Sequence, residues 1–213
     1  MAPVVSPDRP LRDGWDDLWN THGMIDHRFE TVSNGDVDVR VAVAGEGPLI
    51  LFVHGWPELW YSWRHQMRHF AGRGFTTAAM DVRGYGGSSK PTEIERYGLQ
   101  ELSGDAAAVI DTLGGGNAIV VGHDWGAPIA WQTARLHADR VSAVAGLAVP
   151  YLPVGPVSSM ELWNAVYADT FFYMTYFQAP GVAEAELGAD NGRRLRLIWD
   201  AGSADGDFAL IAE

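Results

Sequence analysis

Apolar residues change their spacing three times along this chain. Arg28 to Ser33 reads as a strand, Asn34-Gly35-Asp36 as a tight turn, and Val37 to Ala44 as a second strand with Val37, Val39, Val41 and Val43 on one face. After the turn at 45–48, Leu49 to Val53 is an unbroken apolar run, the mark of a strand covered on both faces. From there strands and helices alternate. Trp60 to Ala71 reads as a helix, Phe75 to Met80 as a strand, and Leu99 to Leu113 as a helix ended by three glycines. Ala118 to Val121 is a buried strand, Gly126 to His137 a helix, and Val141 to Ala148 another buried strand. Alternating units with apolar strands predict an α/β fold whose mostly parallel sheet is flanked by helices. Beyond Pro150 the pattern offers helix-like stretches and no clear strand. The expected organisation is a lead-in over 1–27, an α/β core over 28–150 and a partial helical lid over 151–213.

Composition narrows the partners. A net charge of -12 argues against nucleic acid and anionic membrane surfaces, which would repel the chain. No cysteine is present, which excludes disulfides, thiol nucleophiles and cysteine-ligated zinc. Met1 to Asn20 has no apolar segment of the secretory kind, and the longest apolar runs are too short to cross a bilayer. The expectation is a cytoplasmic protein with no membrane partner. The oligomeric state is left open, a homodimer included.

The candidate chemistry lies in Gly122-His123-Asp124-Trp125-Gly126-Ala127. A buried strand runs through small residues straight into a helix, the geometry of a nucleophile elbow. The turn is sharp enough to require small flanking residues, and it lifts the apex above the sheet beside a helix N-terminus with its unpaired N–H groups. The apex is Asp124 where esterases carry Ser. An ionised carboxylate needs no base to become a nucleophile and can attack a saturated carbon directly, forming an alkyl ester. The bland alternative is that Asp124 only caps the following helix.

His54-Gly55-Trp56-Pro57-Glu58 follows directly on the strand 49–53. In such an architecture this turn supplies a Trp56 backbone N–H that converges with that of Trp125 on an oxyanion hole. A cis Pro57 would fix the tight turn. His54, Gly55, Pro57 and His123 are read as shaping the site, the two histidines bracing their turns. The glycine-rich segment Asp81 to Pro91 lacks the order of a phosphate-binding loop and is read as a structural loop at the site rim.

Together, HGWPELWYSWRHQ (54–66), DVRGYGGSSKP (81–91), GHDWGAPIAW (122–131) and YFQAPGVAEAEL (176–187) resemble the epoxide hydrolases of the α/β-hydrolase fold. The resemblance implies that Asp124 is the nucleophile, that Trp56 and Trp125 form the oxyanion hole, and that Tyr173 is a lid tyrosine donating to the epoxide oxygen. A phenol with an ordinary pKa near about 10 suits that donation. The alternative for Tyr173 is an ordinary aromatic in a cluster of Phe171, Phe172, Tyr176 and Phe177. The expected partner is a small apolar epoxide, with no cofactor and no metal.

The resemblance also implies a second lid tyrosine, a late acid and a catalytic histidine, for which residues up to Glu213 offer no match. The sole histidine after Asp124 is His137, about 17 Å away along a helix rising about 1.5 Å per residue. The chain is therefore expected to lack its hydrolytic base and to present the strand 141–148 as an open apolar edge. Two rival functions stay open. One is a haloalkane dehalogenase, which uses the same Asp-Trp elbow, although Trp56 stands where those enzymes carry Asn or Glu. The other is a truncated, non-catalytic remnant.

Overall fold

The valine-rich segment predicted to pair with its predecessor does so. In a computed structural model that describes residues 26–153, 155–169, 172–190 and 193–194, β1 (Arg28–Asn34) and β2 (Val37–Ala44) form an antiparallel hairpin. Gly35, at φ +64°, supplies the left-handed turn residue. Then follow β3 (Leu49–Val53), β4 (Thr76–Met80), β5 (Ala118–His123) and β6 (Val141–Leu147). The six-stranded sheet has the order β1-β2-β4-β3-β5-β6. β2 meets β4 antiparallel, and β4, β3, β5 and β6 run parallel.

Helices α1 (Arg64–Ala71), α2 (Leu99–Leu113) and α3 (Gly126–Leu136) connect the parallel strands. One side of the sheet packs Ala42, Ile50, Phe52 and Ala79 against Trp60, Trp63 and Met67. The other packs Val39, Leu51, Val53 and Met80 against Val109, Ile110 and Ile129. β3 alternates between these two cores, so all five of its residues are buried. Each large apolar side chain so enclosed contributes about 1.5–3 kcal/mol.

Several boundaries differ from the sequence expectation. The segment 60–71 is not one helix. Trp60–Trp63 is a 3-10 turn, and the α-helix starts at Arg64. The Trp60 N–H donates to the Asp81 carboxylate at 3.0 Å, and residues three apart eclipse in a 3-10 turn, which sends both tryptophans into one core. Phe75 belongs to the preceding turn, its N–H donating to Phe70 O, and β4 begins one residue later. β5 runs on to His123, α3 stops at Leu136, and β6 ends before Ala148, which sits at φ +67°.

The described residues form two compact units divided after Tyr151. In the second, α4 (Ser159–Val166) starts with a capping box between Ser158 and Glu161, and α5 (Tyr173–Tyr176) and α6 (Val182–Leu187) follow. No strand occurs among its described residues. No described helix is long and apolar enough to cross a membrane. The lead-in up to residue 25, Phe171 and the segment after 194 lie outside the described residues.

Candidate active site

The sheet order creates one place where two loops diverge. From β3 the chain passes to β4 on one side and later to β5 on the other, and β3 and β5 are themselves neighbours. Open α/β sheets bind ligands at such a switch, beyond the carboxyl ends of the strands. Val53 pairs with Gly122 at those ends, so Gly55–Glu58 and His123–Gly126 emerge side by side.

Asp124 stands at the tip with φ +50°, a left-handed conformation that Asp adopts more readily than most residues. The Ala127 N–H donates to Asp124 O at 3.0 Å, closing the turn into α3. Three glycines admit this turn. A Cβ on Gly122 would collide with Gly126 O, one on Gly126 with Val53 O, and one on Gly55 with the Asp124 side chain. The Trp56 N–H donates to Asp124 Oδ1 at 2.8 Å. A backbone amide at the end of β3 thus already holds one oxygen of the carboxylate at the end of β5. Trp125 is the residue preceding α3 and is 41% exposed.

The surrounding side chains hold the two loops together. The Trp56–Pro57 peptide is cis. His54 is buried, with Nδ1 donating to Gly55 O at 2.8 Å and Nε2 accepting from the Val82 N–H at 3.0 Å. Those two bonds define a neutral imidazole protonated on Nδ1, because Nε2 must keep its lone pair. Burial lowers its pKa below the ordinary 6.5, against the opposing pull of the Gly55 carbonyl and the charges of Asp81, Glu58 and Asp124. Glu58 Oε2 accepts the Gly55 N–H at 3.2 Å and lies 3.1 Å from His123 Nδ1, tying the turn after β3 to the residue before Asp124.

The loop 81–91 is built around the buried Asp81, whose carboxylate takes the N–H groups of Trp60 and Gly87 at 3.0 Å each. Next to it, the buried Arg83 makes a two-pronged ion pair with Asp105 at 2.9 and 2.7 Å. Tyr85, in the same loop, lies edge-on to the His54 ring at 5.0 Å. Burial, with the Asp124 charge adding to it, pushes the Tyr85 phenol up to about 12.

The first unit therefore gathers Asp124, Trp56, Trp125, His54, Gly55, Pro57 and His123 around one pair of turns. Tyr173 belongs to the second unit, opening α5 with its ring 5.4 Å from that of Phe172 and 5.7 Å from that of Phe177. Tyr176 hydrogen-bonds through its hydroxyl to Glu186, which also pairs with Arg194. Among the described residues no group of three or more His, Asp or Glu side chains could hold a metal ion. Sequence reasoning did not single out Tyr85 or the Glu58–His123 contact. Both depend on side chains from different loops meeting, for which no local spacing is a signal.

A model of the alpha/beta hydrolase fold matches residues 48–207. The chain belongs to the alpha/beta hydrolase fold family. It is 46% identical over 169 residues to epoxide hydrolase A of Mycobacterium tuberculosis, covering 78% of this chain and 52% of that protein. It is 38% identical over 187 residues to the bifunctional epoxide hydrolase 2 of Mus musculus, covering 87% of this chain and 33% of the mouse protein. Among solved structures, epoxide hydrolase A of Mycobacterium thermoresistibile superposes with a TM-score of 0.78 at 43% identity, over 86% of this chain and 59% of that one. An epoxide hydrolase of Vigna radiata gives 0.77 at 40% identity, over 82% and 54%. The chain spans at most about half the length of these curated relatives of the alpha/beta hydrolase fold family.

Proposed function

We propose that this chain carries the nucleophilic half of an epoxide hydrolase. The observation that carries the reading is Asp124, at φ +50° on a strand-to-helix turn, with Oδ1 held 2.8 Å from the Trp56 N–H. In the first step the other carboxylate oxygen attacks a ring carbon of the epoxide from the back. The carbon–oxygen bond breaks, its electron pair stays on the departing oxygen, and the Tyr173 phenol donates the proton that neutralises it. Oδ1 becomes the carbonyl oxygen of the ester and stays at the Trp56 amide. When water adds, that oxygen takes the negative charge, which the Trp56 and Trp125 N–H groups stabilise.

The second step needs a base for the water. His54 has both ring nitrogens engaged, and His123, tied through Nδ1 to Glu58, is read as bracing its turn and not as the base. His137 sits at the far end of α3, about 17 Å from the turn. The ester is therefore expected to accumulate. The relatives named epoxide hydrolases support the choice of an epoxide as electrophile, and the partly exposed Trp125 beside Asp124 supports an apolar one.

The test is intact-mass spectrometry of the purified chain after incubation with excess styrene oxide. The expected result is one persistent adduct of a single epoxide mass, absent in Asp124→Ala. A folded chain that forms no adduct, or an adduct that survives in Asp124→Ala, overturns the assignment. Halide release from a bromoalkane without an epoxide adduct would turn the reading to a dehalogenase.

A further inference from the structure

The first unit contains a cavity of about 230 Å³ lined by His54, Gly55, Tyr85 and Trp125 among others. Gly55, whose Cα lies against the Asp124 side chain, and Trp125, the next residue in the chain, both line it. Val82, Leu99, Leu102 and Ile129 supply apolar walls. An apolar cavity of about 150 Å³ already admits benzene, so this one has room for a ring and a short tether.

Its polar lining is almost wholly engaged. The His54 nitrogens are bonded to Gly55 O and the Val82 N–H. Arg83 is held by Asp105 and Arg96 O. The Tyr97 hydroxyl donates to Pro91 O at 2.6 Å. Tyr85 differs, because no hydrogen bond to its hydroxyl occurs among the described residues. Its backbone is nonetheless fixed, with its N–H donating to Val82 O at 2.9 Å and its O accepting from the Ser88 N–H at 3.0 Å. Its ring rests edge-on against His54. With backbone and ring so held, the side chain has little freedom left to lose on meeting a ligand.

We infer that this cavity is a subsite for the non-reacting arm of the substrate, taking one ring-sized apolar group that bears an ether or carbonyl oxygen accepting a hydrogen bond from Tyr85. Calling the ligand a substrate arm rests on Asp124 being the nucleophile; the cavity's preference for an oxygen beside the ring is independent of it. Burial and the Asp124 charge push the phenol up to about 12, so Tyr85 is protonated and able to donate near neutral pH.

Two probes isolate the hydroxyl. Anisole and ethylbenzene have nearly the same shape and differ by an ether oxygen in place of a methylene. Each is titrated into the full 15N-labelled chain, and dissociation constants are taken from amide shifts. Shifts are expected at Tyr85, Leu102 and Trp125. The ratio of the anisole to the ethylbenzene constant should rise about five-fold in Tyr85→Phe, the effect of one neutral hydrogen bond. General hydrophobicity cancels in that change of ratio, and Phe preserves the ring contact with His54. Leu99→Trp, which fills the cavity from a partly exposed position, should weaken both probes at least ten-fold. A ratio unchanged in Tyr85→Phe, undiminished binding in Leu99→Trp, or shifts confined to other regions overturns the subsite. If the probes behave as stated but styrene oxide forms no adduct, the subsite stands and the hydrolase reading falls. If the adduct forms and the ratio does not move, the subsite alone falls.

Discussion

Strands β3 and β6 are both short, apolar and parallel to their neighbours, yet their surroundings differ completely. All five residues of β3 are buried, whereas β6 has four exposed residues of seven and none that is fully buried. β3 lies between β4 and β5 and is covered on both faces, while β6 is the outer strand among the described residues. Only the buried strand delivers its following loop, Gly55–Glu58, into a position where a backbone amide meets a carboxylate from another strand. β6 contributes to the site more weakly, through Leu147 O accepting the Asp124 N–H at 3.3 Å. An apolar run marks what a strand is suited to, and its place in the sheet decides how much burial it obtains.

The contrast can be broken most forcefully in β3. Phe52→Ala removes a ring stacked on Trp63 with centroids 4.9 Å apart, in a fully enclosed position. It should cost about 3–5 kcal/mol, read from urea unfolding. A loss below about 1 kcal/mol would mean that β3 is not the packed centre of the sheet.

A smaller effect concerns the end of the same strand. The unfolded chain takes up a proton on His54 near its ordinary 6.5, and the folded chain resists it because burial disfavours the imidazolium. The stability contributed by neutral His54 is therefore whole above about pH 6.5 and is lost as the pH falls through the lower folded value. The melting temperature should fall between about pH 7 and pH 5, and more steeply in the wild type than in His54→Gln. Glutamine can keep a donor and an acceptor without titrating. Parallel curves for the two proteins would remove His54 from the account.

The smallest effect is expected at the edge. Ala145→Lys on β6 should change stability by no more than about 0.5 kcal/mol, because Ala145 is exposed. It should also reduce self-association in sedimentation velocity, since a charge on an open edge opposes strand pairing. A stability loss comparable to that of Phe52→Ala would show that β6 is covered.

Much of the site was legible because its constraints are local. A strand entering a helix through Gly122 and Gly126 leaves one apex residue, and Asp124 occupies it with the left-handed φ that such a turn demands. Val37–Ala44 and Leu99–Leu113 likewise have the limits their apolar spacing predicts. The failures are cases where a distant group intervened. Trp60–Trp63 left the helical pattern because a tryptophan N–H is held by Asp81, some twenty residues on. Tyr85 looked like one more residue in a glycine-rich loop until His54 and the cavity were set beside it.

Elements, turns and the identity of the apex residue could be read from the chain alone, because side-chain period and the room around a glycine act over a few neighbouring residues. Which amide would hold Asp124, which histidine would be kept neutral, and which apolar strand would be enclosed all required the folded sheet. Each depends on groups far apart in sequence that meet only once the order β4-β3-β5 is formed.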